Sequence, residues 1–328
     1  MVRLRTLLSS INNAEKMKHQ RVPILLWTHR NEICDYVQED IDHILFDCDG
    51  VLYRSPDVIP GARECIESLQ RRGKQVFFVT NNASSSRSEL RHKLTKMLRI
   101  DDEHLKDTQM VGCAYAAACY LRQQLEKAAR VYVIGSPGLC DELQSAGFNV
   151  VNTPAHEPHF MDRHDMMQYS FPKDIDAVVV GHDPTFSFRK LTTATVILQQ
   201  NPHALFVATN RDAYDLVGTD ALRIPGNGSL VQSLECASSR VAVNVGKPSR
   251  TLAELIESEH GLNLSRTMMI GDRLDTDIQF GNDSGMFTAL VLTGVTGAND
   301  IYQTLMQQDQ GHCTPMPDAI FPFVGLLS

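Results

Sequence analysis

Several features that mark common protein classes are missing from this sequence. None of its eight cysteines forms a C-x-x-C pair, and in a chain of this length that argues against a zinc or disulfide framework. No apolar stretch approaches the roughly 18 residues needed to span a bilayer. The formal net charge is −8, so charge gives no reason to expect a nucleic acid or an anionic membrane as a partner. We therefore expect an intracellular protein with reduced thiols.

The chain is long enough for two domains. Its 328 residues, 43% of them hydrophobic, fit two domains of ordinary size or one domain with a large insertion. The first 40 residues differ from the rest, because MVRLRTLLSSI spaces its apolar residues as in a helix and sets Arg3 and Arg5 between them. That pattern resembles a mitochondrial presequence. We favour a frayed or disordered extension instead, and a cytoplasmic location.

From residue 41 onward, short apolar runs alternate with amphipathic stretches. HILFD (43–47) and QVFFVT (75–80) are typical of buried strands, and 61–73 shows apolar residues at helical spacing before a glycine C-cap. The stretch 84–98 predicts a second helix that opens on serines. Strand–helix–strand repetition implies parallel pairing with right-handed crossovers. The fold class we expect is therefore α/β, with a doubly wound parallel sheet.

A second α/β pattern interrupts the first. Its predicted strands and helices lie at 130–135, 137–146, 176–181, 187–199 and 204–209. The first pattern then resumes with predicted elements at 241–246, 249–260, 266–272, 275–284 and 287–293. We therefore predict a smaller inserted α/β domain, with an extension at 1–40, the main domain at 41–124 and 241–328, and the insertion at 125–240.

Polar side chains follow four of the predicted strands, where doubly wound sheets bind their ligands. A lone D-x-D or G-K-P is more often a turn, but four such motifs at successive strand ends point to shared chemistry. The residues concerned are Asp47 and Asp49, then Thr80, Asn81 and Asn82, then Lys247, and finally Asp272 with Asp275 and Asp277.

Clustered carboxylates predict a metal ion. Without a cation their pKa values would rise and they would become protonated. No His or Cys pair accompanies them, and ligands that are all oxygen favour Mg²⁺, which keeps room for water and a substrate phosphate. Thr80, Asn82 and Lys247 would supply donors and a positive charge for phosphoryl oxygens. These residues together predict phosphoryl transfer.

The same motifs resemble those of a known family. D-x-D-G-V-L, the T-N-N after an apolar run, G-K-P and G-D-x-x-x-T-D-I are similar to the four motifs of the haloacid dehalogenase (HAD) superfamily of phosphatases. The sequence also resembles one branch of this superfamily, that of p-nitrophenyl phosphatase, phosphoglycolate phosphatase and pyridoxal phosphatase (chronophin). The stretches that carry this resemblance are FDCDGVLY, FVTNNASSSR, VVVGHDPTFSF and MIGDRLDTDIQFGNDSGM. The resemblance runs from about residue 41 to 295 and implies a Rossmann-like core with a large α/β cap.

The resemblance implies a role for each motif residue. Asp47 would be the nucleophile that forms an aspartyl-phosphate, and Asp49 the general acid and base. Mg²⁺ would be held by the Asp47 carboxylate, the Asp49 backbone carbonyl and Asp272, with Asp277 acting indirectly. The phosphoryl group would be bound by four residues, namely Thr80, Asn81, Asn82 and Lys247.

Substrate choice is read from the cap in this family. Three candidates for it are His182, Arg211 and Asp215, of which Arg211 could pair with a substrate carboxylate. We expect a small phosphorylated metabolite and favour phosphoglycolate. Pyridoxal phosphate and a protein phosphotyrosine or phosphoserine are the alternative substrates.

The sequence leaves two other functions and one oligomeric state to consider. A catalytically silent binding module would keep the fold and lose the chemistry. A dinucleotide enzyme is disfavoured, because no G-x-G-x-x-G follows a first strand. Relatives dimerise through their caps, and the resemblance implies a homodimer through the cap here.

Overall fold

The structure is a computed structural model of the chain. It describes residues 24–153, 160, 162–217, 222–309 and 314–328. The segment with the presequence-like pattern, 1–11, lies outside the described residues. Within those described ranges, no helix is both long enough and apolar enough to cross a membrane.

The described chain divides into two compact units. The first unit consists of the described part of Met1–Val79 with Arg91–Met110 and Ile256–Ser328. The second unit consists of Thr80–Leu90 and Val111–Leu255. The domain boundaries that we place at residues 40, 124 and 240 stay predictions.

Strands alternate with helices along most of the chain. The strands are β1 (Ile24–Leu25), β2 (His43–Phe46), β3 (Tyr53–Arg54), β4 (Asp57–Val58), β5 (Gln75–Thr80), β6 (Met110–Gly112), β7 (Arg130–Ile134), β8 (Asn149–Asn152), β9 (Ala177–Val180), β10 (Leu205–Ala208), β11 (Tyr214–Val217), β12 (Leu222–Pro225), β13 (Val243–Asn244), β14 (Thr267–Gly271), β15 (Phe287–Val291) and β16 (Ala319–Phe321). The α-helices are Leu26–Asp40, Ala62–Arg71, Arg87–Leu98, Cys113–Gln124, Pro137–Ser145, Arg163–Gln168, Phe188–Gln200, Asn227–Ser238, Arg250–His260, Gln279–Asp283 and Ala298–Asp309. A π-helical turn, Leu274–Ile278, precedes the helix Gln279–Asp283.

A seven-stranded sheet has the order β1-β16-β15-β14-β2-β5-β6. From β1 to β5 each strand pairs in parallel with its neighbour. Every residue of β2, β14 and β15 is buried, which explains why HILF, TMMIG and FTALV are almost uninterrupted apolar runs. The predicted α/β fold with a parallel sheet is confirmed.

A five-stranded sheet in the second unit has the order β13-β10-β9-β7-β8, with parallel pairs throughout. Its core packs strand residues such as Tyr132, Val178 and Phe206 against Val231 and Leu234 of the helix Asn227–Ser238. The predicted second, smaller α/β domain is confirmed by this sheet and its helices.

Two segments differ from expectation. The sequence predicts that VAVNVG belongs to the first pattern, yet only Val243–Asn244 forms a strand, and it pairs with β10 of the second sheet. The sequence predicts that residues 24–40 belong to a frayed or disordered extension, whereas β1 pairs with β16 and the helix Leu26–Asp40 follows it. A strand of two residues carries too little periodicity to reveal its sheet.

The helix Ala62–Arg71 illustrates how local sequence fixes an element. Its apolar residues recur at helical spacing, and the structure buries all of them, namely Ala62, Cys65, Ile66 and Leu69. Gly73, at φ +80°, follows the C-cap, and glycine takes that left-handed conformation without steric cost. The predicted glycine stop is confirmed.

Candidate active site

Three aspartates of the first unit form a buried carboxylate cluster, comprising Asp47, Asp272 and Asp277. Each offers an oxygen atom within 4.8 Å of the other two. Asp47 directly follows β2, and its N–H donates to the Ile270 carbonyl of β14 at 2.8 Å. Because β2 and β14 are neighbours, the carboxyl ends of these strands bring Asp47 and Asp272 to one edge of the sheet.

Asp277 joins the cluster from the π-helical turn after β14. Its Oδ2 accepts the backbone N–H groups of Asp272 and Arg273, each at 3.1 Å. These two bonds fix the turn Leu274–Ile278 against the end of the strand. They explain how a carboxylate five residues beyond Asp272 returns to the same place.

The backbone packs so closely around the Asp272 carboxylate that only glycine fits at two of the neighbouring positions. Its Oδ2 accepts the Val295 N–H at 2.6 Å. A Cβ added at Gly294 would lie 1.8 Å from this oxygen, and one added at Gly50, where φ is +83°, would lie 2.4 Å from it. Any side chain at either position would therefore displace the Asp272 carboxylate.

The carboxylate cluster fits a hard divalent cation. All of its donor atoms are oxygens, the ligands that Mg²⁺ and Ca²⁺ prefer. Three buried carboxylates repel one another, and a cation among them would offset that repulsion. The predicted metal-binding aspartates Asp47, Asp272 and Asp277 are thus brought together.

Asp49 is exposed, unlike the cluster. Its Oδ2 accepts a hydrogen bond from the Tyr53 hydroxyl at 3.1 Å. Burial, and after it the neighbouring acidic groups of Cys48, Asp49 and Asp47, raise the pKa of the Tyr53 phenol, so it stays protonated and remains a donor. Tyr53 was not singled out from the sequence, although it stands four residues after Asp49.

In the second unit, the Asn81 side chain fastens the loop that carries Lys247. Its Oδ1 accepts the Lys247 N–H at 2.8 Å, and its Nδ2 donates to the Lys247 carbonyl at 3.1 Å and to Asp212 at 3.0 Å. A Cβ at Gly246 would lie 2.8 Å from the Asn81 oxygen. Asn81 was expected to bind phosphate, but its amide is engaged inside this unit.

Thr80 and Asn82 form a compact turn at the end of β5. The buried Thr80 hydroxyl accepts the Asn82 N–H at 3.1 Å, and the Asn82 side-chain oxygen accepts the Ser84 N–H at 2.9 Å. Asn82 is exposed, whereas Lys247 is almost fully buried. Both Thr80 and Lys247 are therefore polar groups held in fixed, desolvated positions of the second unit.

The three residues considered for substrate choice have different surroundings. His182 follows β9, is half-buried, and accepts a bond from the Ser136 hydroxyl through its carbonyl. Asp215 is exposed on β11. The Arg211 guanidinium binds Glu235 through two bonds, at 2.5 and 3.1 Å.

The ion pair of Arg211 and Glu235 is part of the second unit's own structure. Arg211 also donates to the Ala242 carbonyl at 3.0 Å. Its hydrogen bond to Glu235 is the main cause that lowers the pKa of that carboxyl. Sequence reasoning missed this pair, because only the fold brings Glu235 back to a loop 24 residues earlier.

Two protein families match the chain. Residues 44–149 match the haloacid dehalogenase-like hydrolases, and residues 244–314 match a second family described as HAD-hydrolase-like. The first match contains Asp47 and Asp49, and the second contains Lys247, Asp272 and Asp277. The four short motifs quoted from the sequence therefore lie inside the matched segments, whereas VVVGHDPTFSF lies between them.

Curated relatives extend over most of the chain. Glycerol-3-phosphate phosphatase of Mus musculus is 40% identical over 267 residues, which are 80% of this chain and 82% of that protein. Phosphoglycolate phosphatase 1A, chloroplastic, of Arabidopsis thaliana is 36% identical over 283 residues, which are 84% of this chain and 75% of that protein. Among solved structures, a glycerol phosphate phosphatase from Mycobacterium tuberculosis in complex with magnesium is similar, with a TM-score of 0.68 and 29% identity over 89% of this chain and 77% of that chain.

Proposed function

Since the chain belongs to the haloacid dehalogenase-like hydrolases and is a phosphatase of that family, we propose that it is a Mg²⁺-dependent phosphomonoesterase that works through an aspartyl-phosphate on Asp47. The observation that carries the proposal is the buried carboxylate cluster at the carboxyl end of β2 and β14. It joins a carboxylate nucleophile to a set of oxygen ligands at one edge of a parallel sheet.

The residues proposed to hold Mg²⁺ are the carboxylates of Asp47 and Asp272 and the backbone carbonyl of Asp49. Asp277 acts indirectly, because its Oδ2 accepts the N–H groups of Asp272 and Arg273 and so keeps Asp272 in place. When bound, the ion would offset the negative charge of the cluster and of the substrate phosphate. Structures of the Mycobacterium relative in complex with magnesium and in complex with calcium support a hard divalent cation at this place.

We assign the bond changes to Asp47 and Asp49. A carboxylate oxygen of Asp47 attacks phosphorus, the ester P–O bond breaks, and Asp49 gives a proton to the leaving oxygen. Asp49 then takes a proton from water, which attacks phosphorus, releases inorganic phosphate and restores the Asp47 carboxylate. Asp49 is assigned this double role because its side chain lies outside the buried carboxylate cluster that includes Asp47.

Phosphoryl binding is assigned to residues of the second unit. Thr80 and Asn82 would donate hydrogen bonds to phosphoryl oxygens, and Lys247 would supply a positive charge. Asn81 is better suited to hold the Lys247 loop than to touch the substrate, because its amide already binds the Lys247 backbone on both sides.

The substrate we propose is a small phosphate ester with an uncharged leaving group, of the glycerol 3-phosphate kind. From the sequence we favour phosphoglycolate, with Arg211 as the residue that could pair with its carboxylate. That guanidinium is bound to Glu235, so the support for phosphoglycolate is weaker. The mouse relative named glycerol-3-phosphate phosphatase points the same way.

The test is phosphate release by the purified protein with Mg²⁺. We would compare kcat/KM for glycerol 3-phosphate, phosphoglycolate, pyridoxal phosphate and a phosphotyrosyl peptide, because specificity is a ratio of these values. We expect glycerol 3-phosphate to lead, and release to disappear with EDTA and in Asp47→Asn. Equal activity in EDTA, or in Asp47→Asn, would refute the mechanism, and a different leading ester would refute only the substrate.

We also propose a homodimer formed through the second unit. β13 is the last strand of the five-stranded sheet, and it exposes Val243 by 38%, next to Val241 at 80%. An edge strand with exposed apolar side chains is a ready surface for pairing with another chain.

The predicted cytoplasmic location stays a prediction.

A further inference from the structure

A chain of three side chains leads from a lysine to Asp49. The Lys93 ammonium, on the helix Arg87–Leu98, donates to the Tyr53 hydroxyl at 2.9 Å. The Tyr53 hydroxyl donates to Asp49 Oδ2 at 3.1 Å. The Lys93 Nζ also lies 4.1 Å from the centre of the Tyr53 ring. All three residues belong to the first unit.

The direction of these bonds follows from the groups themselves. An ammonium has donors and no acceptor, and a phenol has a single proton. Lys93 can therefore only donate to Tyr53, and the Tyr53 proton is left for Asp49. Donation by a cation polarises the phenol and strengthens its bond to the carboxylate.

Tyr53 is held rigidly relative to Asp49. It is 1% exposed. Its carbonyl accepts the Gly50 N–H at 2.8 Å, and its own N–H reaches the Cys48 carbonyl at 3.4 Å. The backbone of Tyr53, at the start of β3, is thus tied to the turn that carries Asp49.

We infer that Tyr53 and Lys93 are positioning residues for Asp49. The inference rests on the proposed function, in which Asp49 protonates the leaving oxygen. Because Oδ2 accepts the Tyr53 hydroxyl, the carboxyl is held in one orientation, and Oδ1 is the oxygen to which we assign the proton transfer. An exposed aspartate without this bond would sample several rotamers, few of them aligned for transfer.

If Tyr53 and Lys93 only stabilised the fold, their loss would slow the hydrolysis of every ester equally. Esters with different leaving groups therefore distinguish a positioning role from a structural one. p-Nitrophenolate is a good leaving group that departs without a proton, whereas an alkoxide needs one. For p-nitrophenyl phosphate, kcat/KM covers steps up to aspartyl-phosphate formation and so does not depend on Asp49 as an acid. For glycerol 3-phosphate, kcat/KM does depend on Asp49 as an acid.

The experiment measures kcat/KM for both esters in Tyr53→Phe and Lys93→Met. We expect glycerol 3-phosphate hydrolysis to fall about tenfold or more in Tyr53→Phe and less in Lys93→Met, while p-nitrophenyl phosphate changes by no more than about threefold. Lys93→Arg should restore part of the loss. Lys96→Met, exposed on the same helix, removes the same charge and should change neither ester.

Equal losses for both esters in a variant that keeps the parent's thermal unfolding temperature, or no loss for either ester, would overturn the inference. Tyr53→Phe removes only one hydroxyl from a buried ring, and Lys93→Met tests the same chain of bonds separately, so misfolding of one variant leaves the other to decide. Asp49→Asn distinguishes this inference from the proposed function. If Asp49→Asn separates the two esters and Tyr53→Phe does not, the inference fails alone. If Asp49→Asn does not separate them, the acid role of Asp49 fails, and the inference with it.

Discussion

Asp272 shows what single residues contribute to this site and how much of that can be read from sequence. An aspartate directly after an apolar run, with another five residues on, could be predicted to lie at a strand end. The close approach of Gly294 and Gly50 to its carboxylate could not, because Gly294 is distant in sequence and carries no local signal. Both glycines are required by the space around one carboxylate oxygen.

The substitution Gly294→Ala tests that requirement. A Cβ there would lie 1.8 Å from Asp272 Oδ2, so we expect a loss of about 1–3 kcal/mol in the free energy of unfolding and a higher Mg²⁺ concentration for half-maximal activity. Urea unfolding and a Mg²⁺ titration of phosphate release would measure the two effects.

The matched control is Gly297→Ala. An added Cβ at Gly297 meets only Asp300 Oδ2, at 3.6 Å, so stability and Mg²⁺ dependence should stay close to those of the parent protein. If Gly294→Ala behaved like Gly297→Ala, the tight packing of backbone around Asp272 would be irrelevant to the site.

Contacts between distant residues are the part of the site that sequence could not supply. Lys93 and Tyr53 are 40 residues apart, and Asn81 and Lys247 are 166 apart. The sequence shows that a tyrosine follows D-x-D-G-V-L and that T-N-N contains an asparagine. Their partners depend on which helix or loop the fold places beside them.

At the scale of elements, strands were predicted well where they are long and central. HILFD, QVFFVT and TMMIG stand out because parallel strands buried on both faces need continuous apolar runs. The sheet to which VAVNVG belongs was misjudged, because two paired residues give no usable period. β16, which is also short, escaped the sequence analysis for the same reason.

The exposed edge strand β13 is the basis for predicting a homodimer. We expect the protein to be a dimer at micromolar concentration, and Val241→Lys with Val243→Lys to shift it to a monomer, because like charges on an edge strand that meets its own copy oppose pairing. Size-exclusion chromatography with light scattering would measure the mass. Tyr302→Lys, which changes an exposed apolar residue of the first unit, should leave the dimer intact. A monomeric parent protein would contradict the proposal.

At the scale of the whole molecule, the alternation of strands and helices predicted two α/β units, and the described residues form two. The pattern could not predict which short segments complete each unit. β1 and the helix Leu26–Asp40 lie in a part of the chain whose composition suggested an extension. Pairing of β1 with β16 joins the two ends of the described chain in one sheet, a contact that no local pattern encodes.

The proposed mechanism requires that Asp47 becomes phosphorylated, and the most direct measurement of this step is the mass of acid-quenched protein during turnover. Asp49→Asn, given p-nitrophenyl phosphate and Mg²⁺, should accumulate the aspartyl-phosphate, because the leaving group needs no acid but the second step lacks its base. We predict a gain of one phosphoryl group, mapped to Asp47 and absent from the Asp47→Asn/Asp49→Asn double variant. Phosphate release by the parent protein without any such adduct in Asp49→Asn, or an adduct that persists in the double variant, would contradict the account.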